Sequence, residues 1–532
     1  MLMVFAAAVR VALLRTLFAR IDSDQAIIGI MAYHIAAGDR PMLYYGQPYQ
    51  SSMEAYLAVP VFRLFGASDF SIRIPALLFS VLFVGAVYAL GAMLYSRVIA
   101  LLGGLYIAAG PALLLFFSTA AGFGYIEASV AGTLLLLLAT GYPDLATMPL
   151  PPALGCGLLI GFGTWAEPMM VVYLVPFALA MVVGIYVRRE AHWKVVRPLA
   201  ALVAGSGIGG APLLAHNLRN GWDTLTFLQA RGPGGDHLAA AIGLITHALP
   251  VILGLATPTL TSPAFSNLVA SYPLHYVMGL LAGCVVALRV AYSVPSRIAS
   301  MARKTSVRDV PGPWGSEGRS DGVLALFVVC CLAFFVCTHF GAQDWAPRLP
   351  RYLLPLYSAT PLVLACLAPR RWSGRQTVLA AIVAVMLLLG ATVTLRPDLS
   401  PAPPAGVAGT AFSAANIDGL VTILDSRHIH LVYASYWLVY TIAFETHERM
   451  VGVTTVGGFR LGQNRFSDYL QAARAIPAGR QAWIFYSDSG NARAFAILLQ
   501  RRHVHTRRWL WKNLVIYTDF SRPLRAPLTP AP

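Results

Sequence analysis

Long apolar stretches, each about long enough to cross a lipid bilayer, recur through most of the first 395 residues. A membrane-spanning helix needs roughly 20 predominantly apolar residues. Because 57% of the 532 residues are hydrophobic and only 12% are charged, the chain has too few charges to cover a soluble surface of its size. The sequence therefore predicts an α-helical polytopic membrane protein.

The apolar stretches predict eleven membrane-spanning helices. Their approximate ranges are 2–19, 72–94, 98–117, 127–142, 153–167, 169–187, 198–215, 274–292, 322–340, 352–368 and 376–395. The first stretch carries two arginines, as a signal sequence does, but no small-residue cleavage site follows it, so we expect a retained helix. A further apolar stretch, 238–256, is assigned to the outer interface as an amphipathic or re-entrant segment.

Short basic clusters between the apolar stretches predict the orientation of the chain. Lysine and arginine concentrate on cytoplasmic loops, and three clusters of them occur, within 188–197, 297–308 and 370–375. This pattern places the N-terminus in the cytoplasm and the loops 20–70 and 216–273 on the outer side of an inner (plasma) membrane. Because these clusters account for the topology, the net charge of +16 does not indicate a nucleic-acid partner.

The loop 20–70 carries the most informative polar residues. Its first part has apolar residues at helical spacing and predicts an amphipathic helix on the membrane surface. Asp22, three residues before Gln25, has the form of a capping box, a structural role that competes with a functional one. Asp24 lies in the first helical turn, where the helix dipole favours a carboxylate, and it is free to face a ligand.

A second helix is predicted after residue 50, and an acid again lies near its start. Ser51 and Glu54 have capping-box spacing, so Glu54 also has a structural explanation. Tyr45 and Tyr49 either belong to an interfacial aromatic belt or offer rings on which a sugar can stack. Glu127, at the outer end of the fourth predicted span, is either functional, because an acid in a membrane helix is costly, or an ordinary helix-start acid.

After residue 396 a proline-rich hinge ends the predicted membrane domain, 1–395, and the composition becomes that of a soluble domain. Apolar β-like runs occur at 430–434, 449–454, 482–486 and 514–518, and helical stretches occur near 413–427, 464–475 and 490–502. The sequence predicts an extracytoplasmic α/β domain over 396–532. The glycine-rich run at 457–462 lacks the strand-turn-helix context of a phosphate-binding loop, so no nucleotide-binding site is predicted there.

The outward loop resembles the first outward loop of the bacterial branch of the protein-mannosyltransferase and aminoarabinose-transferase superfamily. The resemblance is carried by the run DSDQAIIGIMAYHIAAGDRPMLYYGQPYQSSMEAYLAVPVFRLFGASDFSIR, which starts at Asp22. Further similar segments follow in the same order: GFGYIEA at 122–128, GTWAEPMMVVYLVP at 163–176, HNLRNGWDT at 216–224, RYLLPLY at 351–357 and YASYWLVYTIAFETHERMVG at 433–452. Where the family commonly has an Asp-Glu pair, this chain has Asp24-Gln25.

The resemblance implies a GT-C glycosyltransferase, similar to glycosyltransferase family 39, that takes a sugar from a polyprenyl-phosphate carrier on the outer side of the membrane. Asp24 is then expected to be the general base that deprotonates the acceptor in an inverting transfer, with Glu54 and Glu127 lining the same cavity. Arg351, with Arg348 beside it, is expected to bind the donor phosphate, the alternative being an interfacial anchor.

Further residues are candidates for contact with the sugar or the acceptor. These are Asp22, Tyr45, Gln47, Tyr49 and His216, all in the two outward loops. Glu167 is a lower-ranked acid near the outer surface. Some GT-C enzymes place a divalent cation beside their acids, so Mg²⁺ or Mn²⁺ held by Asp22, Asp24 and Glu127 is left open.

Two other classes of function compete with the enzyme. One is a non-catalytic transporter of lipid-linked glycans, and the other is an extracytoplasmic binding or sensor protein built on the tail domain. A transporter predicts acids spread over mid-membrane positions and broken helices in inverted repeats, whereas the acids here gather in the first outward loop and at outer helix ends. We therefore favour an enzyme whose partners are membrane lipid, a polyprenyl-phosphate-linked sugar and an acceptor glycan, lipid or protein.

Overall fold

The computed structural model describes most of the chain. The described residues are 1–15, 21–142, 144–188, 193–230, 235–254, 320–343, 350–361, 417–457, 459–487, 489–522 and 524. The predicted spans 274–292 and 376–395, the basic clusters 297–308 and 370–375, and the predicted domain boundary at 396 lie outside these residues.

Helices make up most of the described residues up to 361. They are α1 Leu2–Arg15, α2 Ser23–Ala37, α3 Met53–Phe65, α4 Ile74–Leu94, α5 Arg97–Ala109, α6 Ala112–Phe117, α7 Tyr125–Gly141, α8 Leu150–Ala166, α9 Val171–Arg188, α10 Trp193–Gly209, α11 Ala211–Arg219, α12 Asp223–Gln229, α13 His237–Gly243, α14 Leu249–Ile252, α15 Ser320–Cys337 and α16 His339–Ala342. A 3₁₀ helix, Arg351–Ala359, follows. Each predicted span between 2 and 215 coincides with one helix or with two consecutive ones.

The number of membrane crossings is not confirmed. Among the described residues, one helical segment, Ser71–Leu94, is long and apolar enough to cross a membrane by itself, and α10 with α11 meets that criterion only as a pair bent by 69°. Six shorter apolar helices accompany them: Arg97–Ala109, Tyr125–Gly141, Leu150–Ala166, Pro168–Val182, His237–Ile252 and Val323–Cys337. The orientation of the chain in the membrane stays a prediction.

A buried arginine joins α1 to the end of α5. α5 stops before Gly110 and Pro111, and proline has no N–H to donate back to the carbonyl of Ile107. Arg10, which is fully buried, donates from Nη2 to the Ile107 carbonyl at 3.3 Å and from Nη1 to the Ala108 carbonyl at 3.0 Å. The arginine therefore satisfies the carbonyls that the broken helix leaves open.

The described residues from 417 onward form the tail domain, a mixed sheet with helices. Its elements are α17 Ile417–Ser426, β1 Leu431–Ala434, α18 Tyr436–Glu445, β2 Val451–Val456, β3 Arg460–Leu461, α19 Ser467–Ala475, β4 Gln481–Tyr486, α20 Gly490–Arg501, β5 Arg507–Trp511 and β6 Leu514–Thr518. The strand order is β3-β2-β1-β4-β6-β5. β1 pairs in parallel with β2 and β4, and the other pairs are antiparallel.

The α/β character of the tail domain agrees with the sequence prediction, and the four predicted strands and three predicted helices are present. Helix α18 and the strands β3 and β5 were not predicted. The sequence of α18 is apolar almost all round, with seven of its ten residues buried, so it offers no helical stripe for a periodicity analysis to find.

Helix α2 lies between the tail domain and α3, and the prediction of an amphipathic helix was wrong, whereas its position at the membrane surface stays a prediction. Ten of its 15 residues are buried. It packs on α18 so closely that a Cβ added at Gly29 would lie 2.3 Å from the ring of Phe444. Because two neighbours cover two sides of the helix, its apolar residues spread round most of the circumference rather than along one stripe.

Candidate active site

The first turn of α2 presents Asp24 to the tail domain. The capping role predicted for Asp22 is confirmed, since its Oδ1 accepts from the Gln25 N–H at 2.9 Å. Asp24 follows in the first turn, where Tyr436 of α18 donates its O–H to Asp24 Oδ1 and Arg465 Nη2 lies 4.0 Å from the same oxygen. The side chain of Asp24 is 23% exposed. Its carboxylate therefore has neighbours that stabilise negative charge on one side and an open side for a ligand.

Gln25, which stands where the family commonly has a second acid, belongs to the protein core. Its side chain is 2% exposed, and its Oε1 accepts from Arg73 Nε at 2.7 Å and from the Ala121 N–H at 3.3 Å. The side chain faces away from solvent and holds α2 against the start of α4. The departure from the family pattern thus leaves the surroundings of Asp24 in place.

Glu54 and Glu127 meet in the interior. Glu54 Oε2 accepts from the Gly122 N–H at 2.8 Å, and its carboxyl is hydrogen-bonded to that of Glu127. Burial and then the charge of Glu127 raise the pKa of Glu54 well above its ordinary value. Because two carboxylates in contact cannot both be ionised in a buried site, the pair holds a proton.

The start of α3 differs from the capping box predicted for Ser51 and Glu54. The helix begins after Ser52, which makes no side-chain cap and instead donates its hydroxyl to the Pro41 carbonyl at 2.7 Å. Glu54 is turned away from the helix end toward Gly122, which is why its capping role was wrongly predicted.

A glycine turn contacts a residue of each acidic site. Gly122 has φ +87°, a conformation that favours glycine, and a Cβ there would lie 2.8 Å from Ile28 and 3.5 Å from the Asp24 carbonyl oxygen. The same turn donates its N–H to Glu54. The structure therefore brings the backbone of Asp24 and the carboxyl of Glu54 to the same turn, while the carboxyls of the two acids have different partners.

Arg351 lies near a third buried acid. Glu167, at the C-terminal end of α8, is 5% exposed and lies close enough to Arg351 for the two charges to attract each other. The Arg351 guanidinium lies over the ring of Tyr125 at 5.9 Å and over that of Tyr352 at 5.2 Å. Arg351 therefore faces aromatic and acidic neighbours within the protein. Its role as a phosphate ligand stays a prediction, and Arg348 lies outside the described residues.

Gln47 and Tyr49 join the loop 20–70 to its neighbours. Tyr49 stacks on Phe227 of α12 with ring centroids 4.8 Å apart. With the Gln47 amide oriented to satisfy both of its ends, its nitrogen donates to the Tyr49 hydroxyl at 2.8 Å and its oxygen accepts from Arg465 Nη2 at 2.8 Å. Gln47 thus lies beside the Asp24 site, within reach of the same arginine.

Tyr45 and His216 belong to separate networks. The Tyr45 hydroxyl lies 2.9 Å from His34 Nδ1, and His34 Nε2 lies 2.9 Å from Glu448 Oε1 of the tail domain. His216 Nε2 pairs with Asp223 at 3.0 Å. These contacts place Tyr45 in the interface between α2 and the tail domain, and His216 in a local pair. Binding of sugar or acceptor by either residue stays a prediction.

The acids proposed as metal ligands do not fit that role together. Asp22 caps α2, Asp24 meets Tyr436 and Arg465, and Glu127 is bonded to Glu54. Within the part of the chain that the structure describes, no three His, Cys, Asp or Glu side chains converge closely enough to hold a metal ion. We therefore derive no step through a metal.

Two residues of this site, Tyr436 and Arg465, were not identified in the sequence. Tyr436 lies within the segment 433–452 that resembles the family, so its position was marked without a role. Arg465 lies in a loop between β3 and α19 with no periodic pattern or motif. Both are more than 400 residues from Asp24 along the chain, a distance at which sequence pattern carries no contact information.

Comparisons with known proteins agree with this architecture. A family model described as dolichyl-phosphate-mannose-protein mannosyltransferase matches residues 50–206. ArnT from Cupriavidus metallidurans, in a crystal structure bound to undecaprenyl phosphate, shares 14% identity with a TM-score of 0.60, covering 98% of each chain. The oligosaccharyltransferase AglB from Archaeoglobus fulgidus, in complex with an inhibitory peptide and a dolichol-phosphate, is 13% identical with a TM-score of 0.47.

The AglB alignment covers 98% of this chain and 74% of the other, but its likeness is too weak to support inference. No curated protein sequence matches the chain significantly. At 14% identity the similarity to ArnT supports a conclusion about the fold alone, and it extends over nearly the whole chain. The fold of this chain is therefore similar to that of ArnT, and the match of residues 50–206 to the mannosyltransferase family model agrees with the resemblance seen in the sequence.

Proposed function

We propose that the protein transfers a sugar from a polyprenyl-phosphate-linked donor to an acceptor on the outer face of the plasma membrane, with inversion at the anomeric carbon. Asp24 is the general base. The observation that carries the proposal is the environment of Asp24, whose carboxylate is bonded to the Tyr436 hydroxyl, lies near a guanidinium and remains 23% exposed.

The other acids are less suited to act as a base. Glu54 and Glu127 are 4% and 2% exposed and share a hydrogen bond, so neither is free to take a proton from an acceptor. Asp22 is committed to the cap of α2, and burial with the charge of Asp24 raises the pKa of Asp22 to about 6. Glu54 and Glu127 support the turn at Gly122 that adjoins Asp24.

The reaction needs one base and one group to receive the leaving phosphate. Asp24 accepts the proton of the acceptor hydroxyl or amine as the acceptor atom bonds to the anomeric carbon from the face opposite the phosphate. The bond between that carbon and the phosphate oxygen breaks, and its electron pair leaves with the lipid phosphate. Arg351 is the proposed cation for this phosphate.

The donor class is supported by the fold. ArnT, whose structure is similar over 98% of each chain, was crystallised with undecaprenyl phosphate, and a lipid carrier suits a site at a membrane surface. We place the tail domain and both outward loops outside the membrane, as the basic clusters predict.

The test is transfer of radiolabelled sugar from a panel of undecaprenyl-phosphate monosaccharides, measured in membranes that contain the wild type, Asp24→Asn or Asp39→Asn. Asp39 is an exposed acid just after α2, so its variant controls for the loss of one carboxylate. We expect transfer or donor hydrolysis in the wild type and in Asp39→Asn, and a loss of about 10²-fold or more in Asp24→Asn. A wild type that binds donor without consuming it, or a fully active Asp24→Asn, contradicts the proposal and favours transport or sensing.

A further inference from the structure

The tail domain reaches Asp24 through two side chains, Tyr436 and Arg465. We infer that these are positioning residues that hold the Asp24 carboxylate in its reactive orientation, so that the tail domain is part of the active site. The inference rests on the proposed function, because it assigns a task to residues around the proposed base. It also implies that the membrane domain without the tail domain cannot hold the Asp24 carboxylate in this orientation.

Arg465 is held from several directions. Its Nε lies 3.2 Å from the Tyr436 hydroxyl oxygen, and its Nη1 donates to the Gly46 carbonyl at 3.0 Å. Its Nη2 donates to Gln47 at 2.8 Å and lies 4.0 Å from Asp24 Oδ1. The side chain is only 10% exposed. One guanidinium thus ties the tail domain, the first outward loop and the first turn of α2 together.

Tyr436 holds the same turn from a second side. It lies at the start of α18, and its hydroxyl donates to Asp24 Oδ1 while its backbone carbonyl accepts from the Ser23 hydroxyl at 2.6 Å. Two consecutive residues of α2 are therefore bonded to one residue of the tail domain. This arrangement fixes both the backbone of the turn and the direction of the carboxylate.

The contacts of Arg465 favour positioning over substrate binding. Each of its three nitrogen atoms already has an acceptor within the protein, namely Tyr436, Gly46 and Gln47. An arginine that bound the donor phosphate would have to break these bonds. A positioning role predicts a lower kcat at an unchanged donor KM, whereas a phosphate ligand predicts a raised KM.

The test uses the full-length protein and the undecaprenyl-phosphate sugar that the wild type consumes. The variants are Arg465→Gln, Arg465→Lys, Tyr436→Phe and the control Arg460→Gln, which removes an exposed arginine from β3 of the same domain. A misplacement of about 1 Å costs on the order of 10²-fold in rate. We expect kcat to fall about that much in Arg465→Gln, less in Arg465→Lys and Tyr436→Phe, and not at all in Arg460→Gln, with donor KM within about twofold throughout.

A double-variant cycle separates positioning from simple instability. Because Arg465 acts through Asp24, adding Arg465→Gln to Asp24→Asn should lower the residual activity no further, whereas a general structural defect would lower both backgrounds equally. If Arg465→Gln does not fold, the kcat of Arg465→Lys decides the question. Equal losses in the two backgrounds, a raised donor KM, or a wild-type kcat in Arg465→Gln would overturn the inference. An inactive wild type or an active Asp24→Asn instead contradicts the proposed function.

Discussion

Two acidic sites adjoin the turn at Gly122, and their carboxyls have different neighbours. Asp24 meets a phenol and a guanidinium from the tail domain and keeps an open side. Glu54 meets another carboxyl and a backbone N–H and is 4% exposed. The neighbours of an acid, more than its residue type, therefore decide whether it can take a proton. A nearby cation favours the ionised carboxylate, whereas a second buried carboxyl favours the protonated acid.

Neutralising one acid from each site tests whether the two carboxyls have different roles. Asp24→Asn removes the proposed base, so we expect sugar transfer to fall by about 10²- to 10⁴-fold. Glu54→Gln resembles the protonated form of Glu54 and can still accept from the Gly122 N–H and donate to Glu127, so we expect a loss below about tenfold. The measurement is the initial rate of transfer in matched membranes. Equal losses in the two variants would remove the distinction between the sites.

The second prediction concerns stability at the interior pair. Glu54→Ala leaves the buried Gly122 N–H and the Glu127 carboxyl without their partner, so we expect a cost of about 1 to 3 kcal/mol in the free energy of unfolding. Glu54→Gln keeps both contacts and should lose less than about 1 kcal/mol. Thermal unfolding of the purified proteins in detergent checks both values. An unchanged midpoint in Glu54→Ala would mean that the pair has no structural role.

The third prediction tests the far end of α2, where the tail domain also holds the helix. Burial lowers the pKa of His34, but the hydrogen bond and charge of Glu448 outweigh it, helped by Asp39 and Asp468, so the pKa is raised. A raised folded-state pKa contributes stability that is complete below the ordinary value of about 6.5 and lost as the pH rises through the folded value. We expect a contribution below about 1 kcal/mol, since both side chains are partly exposed.

The measurement for His34 is the unfolding midpoint between about pH 6 and 8.5. Across this window the unfolding midpoint of the wild type should fall more than that of His34→Gln. His505 is exposed, so the control variant His505→Gln should show the same fall as the wild type. The same pH profile in the wild type and in His34→Gln would show that the contact with Glu448 does not hold the tail domain to α2.

The smallest expected effect is that of metal removal. Asp22, Asp24 and Glu127 are bonded to different partners. We therefore expect a chelator to change the transfer rate less than about twofold, a change no larger than the usual deviation between independent effects. Transfer is measured after treatment with EDTA and after readdition of Mg²⁺ or Mn²⁺. Loss with EDTA and recovery with a cation would mean that the acids rearrange around a metal when substrate is bound.

Sequence patterns predicted the parts of this fold that repeat a simple period. The apolar stretches up to 215 and the tail strands β1, β2, β4 and β6 were found because length and alternation are local properties. α18 was missed because its apolar residues surround the helix, and the amphipathic character of α2 was wrongly predicted for the same reason. A periodicity argument assumes one covered face, and both helices have two.

The candidate site was predicted only where a residue has a local signature. Asp24 was identified by its place in a helical turn and by the resemblance of its loop to the family. Its partners Tyr436 and Arg465 were not, because contacts across more than 400 residues depend on how the tail domain packs. The hydrogen bond between Glu54 and Glu127 was missed for the same physical reason, although both acids were named.

The arginine that closes the end of α5 also has a consequence for how the chain is assembled. Arg10 finds its acceptors in the carbonyls of Ile107 and Ala108, 97 and 98 positions further along the chain. If α1 spans the membrane, as the sequence predicts, then until α5 has been synthesised it carries a charge whose insertion at the centre of a lone helix costs about 2.5 to 3.5 kcal/mol. We therefore expect stable insertion of α1 to depend on the later arrival of α5, whose carbonyls accept the hydrogen bonds of Arg10.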